Sequence, residues 1–334
     1  MKSMRSGLLR NAFALAVLLI CQRGAMATTP DGQQKTTGQQ LKTVNIVPDF
    51  LRFWDETRSD DEASCVRRFR QTVIAAHPEL FKGNVVPLFN SSSTTDQDRG
   101  IAEYLKKVAP FVPSIRVLNL RLAQDLTAYD QEFLKVWPDF RADQPVYFTI
   151  SMGTFDGAVR DVNGSNALLF GVDVIARLYG STANLSVLFD HELFHVYHRQ
   201  VAPSLFEGDE IWKSLWIEGL AEYVSWRMNP ASTEDDVLLS TELRSKGVPL
   251  LQCLSASINR VLNSTDGSDY ARYFLSGQAG ADPPRAGYLV GFEVVSRTGE
   301  RRSLAELSRL SGEGLHQEIV GTLGKLAGTA VCTR

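Results

Sequence analysis

Apolar residues recur at helical spacing through residues 48–57, 60–78, 96–108 and 120–136, with Pro78, Pro110, Pro113 and Pro138 as breaks. The period then changes. "QPVYFTISMG" (144–153) is rich in β-branched and aromatic residues and predicts a strand. "DVNGSN" (161–166) carries an Asn-Gly turn signal, and "ALLFGVDVIA" (167–176) predicts a second strand that turns helical at its end. Together they predict a small antiparallel sheet. Ser181 or Thr182 is the expected N-cap of a helix running to about residue 200. A second helix, "DEIWKSLWIEGLAEYVSWRM" (209–228), stops at Asn229-Pro230. Helical periods return at 235–262, 286–298 and 302–326, with 276–287 as a loop. The expected class is α+β and mainly helical, with the small sheet packed beside the 181–200 helix. The pattern divides the chain into an N-terminal part, 44–180, holding helices and sheet, and a helical part, 181–334.

The polar stretch 28–43, rich in Thr, Gln and Gly, reads as a flexible lead-in. Before it, Lys2, Arg5 and Arg10 precede the apolar run "AFALAVLLIC" (12–21), and Ala25-Met26-Ala27 fits a small-x-small cleavage site. Residues 1–27 therefore read as a signal peptide, which predicts export to the periplasm or the medium. The run is too short for the roughly 20 residues of a stable membrane span, and no second long apolar run follows. The 334-residue chain has a formal net charge of −3, and the leader holds four basic residues and no acid. The exported part is more acidic still and has no basic run, which argues against nucleic-acid binding. Beyond the leader stand Cys65, Cys253 and Cys332. An exported chain has room for one disulfide, with Cys253–Cys332 the preferred pair, and the alternative is three buried thiols.

Three of the five histidines fall within "HELFHVYH", 191–198. His191, Glu192 and His195 form H-E-x-x-H. On a helix the two histidines share a face one turn apart, so two imidazole nitrogens can hold one metal ion. Glu192 stands where its carboxylate can take the proton of an activated water. His198 lies a further ~4.5 Å along the axis and reads as a packing residue. A catalytic zinc ion takes a third protein ligand. In "SLWIEGLAEYVSW" (214–226), Glu218 can supply it once this helix folds back on the first. Glu222, one turn on, can accept the second N–H of a ligand histidine. Both carboxylates sit among large apolar residues, and buried carboxylates need a cation or strong partners.

"HELFH" followed by "LWIEGLAEYV" resembles the gluzincin metallopeptidases, the group that includes thermolysin and the aminopeptidases with a Glu zinc ligand. It is especially similar to uncharacterised exported bacterial proteins predicted to be zinc-dependent proteases. The match covers residues 184–226, with a weaker extension to 296. The resemblance implies a thermolysin-like core with one zinc ion held by His191, His195 and Glu218, Glu192 as general base and Glu222 behind the ligands. In "RAGYLVG" (285–291), Tyr288 matches the oxyanion-stabilising Tyr of a Y-x-x-G motif; Tyr270 and Tyr273 compete for that role, and Arg285 can contact a substrate carboxylate. Gluzincins pair an extended substrate with the edge strand of a short sheet above the zinc helix. Here 167–176 is the expected edge, with Phe170, Gly171 and Val172 as substrate-binding residues.

The Gly-x-Met-Glu-Asn motif that captures a substrate's amino terminus in the aminopeptidase branch is absent, and 23 positions separate Glu218 from His195, more than that branch uses. A metzincin would carry Gly at 198 and His at 201, where this chain has His198 and Val201. The expected function is a zinc-dependent peptidase acting on a peptide or protein. The alternatives are an inactive zinc-binding or protein-interaction module, and a zinc hydrolase of a non-peptide amide or ester.

Overall fold

The computed structural model describes residues 41–238, 240–275, 282–329 and 332. The leader 1–27, most of the lead-in and residues 276–281 of the expected loop lie outside them. Helices α1 (Val47–Glu56), α2 (Glu62–Phe69, prolonged by a wider turn over Arg70–Ile74), α3 (Thr94–Val108) and α4 (Val112–Val136) form the first half. Asp61 and Ser93 cap α2 and α3 by accepting from the backbone N–H of Ser64 and Asp96. Helix α4 begins earlier than expected. Pro113 is not a break but a first-turn residue, where a missing N–H costs nothing. Residues 41–43 are likewise not lead-in: Leu41 is buried and Thr43 opens a strand.

Four strands form one sheet: β1 (Thr43–Asn45), β2 (Val146–Thr149), β3 (Gly157–Val162) and β4 (Ser165–Gly171), in the order β1-β2-β4-β3. The sheet is mixed, which corrects the antiparallel expectation. Only β3 and β4 are antiparallel, while β1–β2 and β2–β4 are parallel. The Asn163-Gly164 turn, with both φ angles positive, joins β4 to β3 and not to β2. The unrecognised strand β3 is the cause. Its segment, "GAVRDV", shows little alternation because its first two residues are both buried. A second correction follows from the strand order. β4 is an inner strand and β3 is the edge, so Phe170 and Gly171 are flanked on both sides, and Val172 already begins α5 (Val172–Tyr179).

After the sheet come α6 (Leu185–Val201), α7 (Ile211–Met228), α8 (Glu234–Val237), α9 (Thr241–Gly247), α10 (Leu251–Arg260), α11 (Gly267–Phe274), α12 (Ala286–Thr298), α13 (Leu304–Leu307) and α14 (Gly312–Ala327). The N-cap of α6 is Asn184, whose side chain accepts from the Val187 N–H, and not Ser181 or Thr182. Rings fix this helix to the sheet. Phe170 on β4 stacks on Phe148 of β2 at 5.2 Å and on Phe189 of α6 at 5.9 Å. Buried apolar residues before and after residue 180 form one continuous core. Cys253 and Cys332 are disulfide-bonded, as preferred on sequence grounds, and Cys65 is a free thiol.

Candidate metal centre

Helices α6 and α7 pack against each other, and both are buried through most of their length. This contact brings together the three residues expected to bind a metal. His191 Nε2 and His195 Nε2 lie 3.0 Å apart, and Glu218 Oε2 is 3.6 and 3.4 Å from them. Ligand atoms ~2.0–2.2 Å from one tetrahedral ion stand roughly 3.3–3.5 Å from each other. The two Glu218 contacts lie within about 0.1 Å of that spacing, and the histidine pair is about 0.3 Å closer. Glu218 Oε2 is buried without a hydrogen-bond partner, an arrangement that a shared cation would satisfy. The cluster could therefore hold a metal ion, and it is the only such group among the described residues.

The electrostatics fit a cation site. Burial opposes charge on Glu218, yet His195 and His191 together hold its carboxyl well below the usual range. Burial pushes His191 down to about 4, so its imidazole is neutral and able to ligate. Burial also pushes Glu192 up to about 8. The carboxyl of Glu192 faces the start of β3. A methyl group at Gly157 would lie 2.2 Å from Glu192 Oε1, so glycine leaves the space that the carboxylate occupies.

Glu222 is fully buried behind His191, its Oε2 3.8 Å from His191 Nδ1. Burial holds its carboxyl well above the usual range, opposed by Arg285, whose Nη2 is 3.9 Å from Oε1. Arg285 is itself 6% exposed, has a left-handed backbone (φ 61°) and stacks over Tyr288 at 4.1 Å. The Tyr288 ring lies parallel to His191 at 6.5 Å. Of the competing tyrosines, Tyr270 stacks on Phe274, and burial and the Glu218 charge hold its phenol pKa above the ordinary value. Tyr273 is turned to Ser257 at 2.6 Å. His198 packs between Phe194 and Phe206, with both ring nitrogens lacking partners, and burial lowers its pKa to about 3.

Several supporting residues escaped the sequence reading. Asp156 accepts from Tyr179 at 2.5 Å and, with Glu222, flanks the Arg285 charge. Asn229, at the end of α7, donates to Asp190 of α6 at 2.7 Å and clasps the two ligand helices together. Gly219 meets Gly291 of α12, where an added methyl would lie 2.2 Å from the Gly291 carbonyl carbon. Gly219 is the exception among these: a glycine beside Glu218 was expected on sequence grounds to allow a close helix approach, and it does. Among the described residues no helix is long and apolar enough to cross a membrane. No known protein family, curated protein or solved structure matches the chain.

Proposed function

We propose that this chain is a zinc-dependent peptidase with a gluzincin-like core, exported through its N-terminal leader. The observation that carries the reading is the convergence of His191 Nε2, His195 Nε2 and Glu218 Oε2, with the Glu192 carboxyl against the start of the edge strand β3. Two imidazoles and one carboxylate are a usual donor set for catalytic zinc. When bound, zinc polarises a carbonyl and lowers the pKa of water.

The residues of the chain do the rest. Glu192 takes the proton of the attacking water on a carboxylate oxygen and delivers it to the leaving amine. Glu222 stands behind His191 with Oε2 3.8 Å from Nδ1, too far for a hydrogen bond, and a closer approach would let it accept from Nδ1 and set the tautomer. Tyr288 is the candidate donor toward negative charge developing on the carbonyl oxygen. The substrate strand pairs with β3, in place of the inner Phe170–Gly171 segment. The two-residue hairpin makes Val162–Ser165 a hydrogen-bonded pair, and alternation then turns the backbone groups of Gly157, Val159 and Asp161 outward. Asn84 occupies the Asp161 carbonyl at 2.6 Å, Arg160 the Val159 carbonyl at 3.1 Å, and Asp156 Oδ1 accepts from the Gly157 N–H at 3.0 Å, so the edge groups left for a substrate beside Glu192 are the Gly157 carbonyl and the Val159 N–H.

Elemental analysis of the purified chain tests the reading. About one zinc per chain is expected, as a single three-ligand site requires. Glu218→Ala should lose it. Glu192→Gln should keep the ion and lose hydrolysis of a peptide library by at least about 100-fold, the lower end of what general-base catalysis contributes. A parent that takes up no zinc on reconstitution defeats the proposal. Val159→Pro removes one outward N–H without touching the β3–β4 ladder. It should lower kcat/KM by about tenfold, one hydrogen bond's worth, with zinc retained. Unchanged turnover would move the substrate elsewhere. N-terminal sequencing of the exported protein should begin at Thr28.

A further inference from the structure

The surroundings of Arg285 point to a different role from the substrate contact that the sequence suggests. The residue is buried, and its Nε and Nη2 atoms are closed to solvent. A buried guanidinium is stable only among compensating groups. Those groups are present. Nη2 is 3.9 Å from Glu222 Oε1, the Asp156 carboxyl also favours the charge, and Cζ lies 4.1 Å from the centroid of the Tyr288 ring. Arg285 also borders a cavity of about 480 Å3 whose other charged residues are Asp235 and Asp236. A carboxylate entering there would meet two like charges.

The backbone makes the same point. Arg285 is the N-cap of α12, and Tyr288 follows in its first turn. An N-cap residue ordinarily has an extended backbone. Arg285 is left-handed instead, with φ 61° and ψ 25°, directly after Pro283-Pro284. A residue other than glycine holds that conformation at a cost, which the surrounding structure must offset. The contact found there is the one between the guanidinium and the Tyr288 ring. That ring lies parallel to His191 at 6.5 Å, and Glu222 stands behind the same imidazole. One cation therefore borders both groups that back His191.

We propose that Arg285 is a positioning residue of the metal centre, which holds the Tyr288 ring and the Glu222 carboxyl beside His191 and does not bind substrate. A guanidinium over an aromatic face, in a site closed to water, restrains the ring. A phenol donor serves developing charge only when it is in place beforehand. The effect on turnover rests on the peptidase reading; the restraint on the ring does not.

Arg285→Met and Arg285→Lys test it in the full chain, since both side chains are unbranched at Cβ and place the same demand on the backbone as arginine. With zinc supplied, Arg285→Met should lower kcat by about five- to thirtyfold, the strength of a desolvated cation–ring contact, with KM little changed. Arg285→Lys should recover part of the loss, because an ammonium keeps the charge without the planar fork. The loss should be equal for a peptide with a free C-terminus and for its amide. A substrate contact would instead raise KM, and only for the free acid. The second readout needs no turnover: fluorine NMR of the chain labelled with fluorotyrosine, with the Tyr288 line assigned by Tyr288→Phe. That line should shift in Arg285→Met and lie closer to the parent position in Arg285→Lys. The proposal fails if a folded Arg285→Met chain leaves the line in place, or if its loss of activity is in KM alone or confined to free-acid peptides. If Arg285→Met does not fold, an unshifted line and an unchanged kcat in Arg285→Lys defeat it. A parent that cleaves no peptide, while the line still shifts, defeats the peptidase reading and supports the restraint on Tyr288.

Discussion

His195 and His198 lie less than one turn apart on α6, yet only His195 faces Glu218; His198 is enclosed by Phe194 and Phe206. Neither His198 nitrogen has a hydrogen-bond partner, so its burial costs free energy. His198→Leu should therefore keep full zinc content and leave stability unchanged or raise it by up to ~1 kcal/mol, measured by urea denaturation. Loss of zinc in this variant would make His198 part of the centre. The four-residue spacing of His191 and His195 made the ligand pair legible in the sequence, because helix geometry is local and periodic. Arg285 and Asp156 were not legible in that way. Their roles arise from neighbours far along the chain: Glu222 and Tyr288 for the first, Tyr179 for the second.

Two contacts between elements hold Glu218 in place. Gly219 and Gly291 let the backbones of α7 and α12 touch, and an added methyl would meet backbone atoms at 2.2 and 2.5 Å. Backbone cannot move aside as a flexible side chain can. Gly219→Ala should cost about 1–3 kcal/mol by overpacking and weaken zinc binding, since Glu218 is the adjacent residue. Thermal melts and a zinc titration would show it, and an unchanged melt would mean that the helices separate freely. The second contact is the Asn229–Asp190 bond between α7 and α6. Asn229→Ala leaves a buried carboxyl with that bond unmade, at a cost of about 1–3 kcal/mol. At this scale the helices were largely legible and the sheet was not. Helix period survives within one segment, whereas the pairing of β4 with β2 depends on a strand, β3, that shows little alternation.

Across the whole molecule, two long-range ties add to the apolar core. The Cys253–Cys332 bond closes a separation of 79 residues. Replacing Cys332 with Ser should cost roughly 2–4 kcal/mol, read from denaturation of the oxidised parent and the variant. Equal stability would show that the bond constrains little of the unfolded chain. The proposed metal site would be the other tie. If zinc binds only the folded chain, chelation should lower the melting temperature. Free zinc at ~100 times its Kd contributes about 2.7 kcal/mol through linkage, which a titration of melting temperature against zinc would trace.

By itself the sequence determined what local order can encode. It set most of the helices, though not α11 or the breaks within 235–262 and 302–326, the pairing of two histidines on one helix face with Glu192 beside them, and the presence of Glu218 and Glu222 on an apolar helix. Tertiary structure alone decided which strand is the edge, which glycine leaves room for Glu192, and what flanks Arg285. The physical reason is the range of the interactions. Helical hydrogen bonds and face periodicity join residues three or four apart. Strand order, close helix contacts and cavities are settled by residues that meet only after the chain has folded.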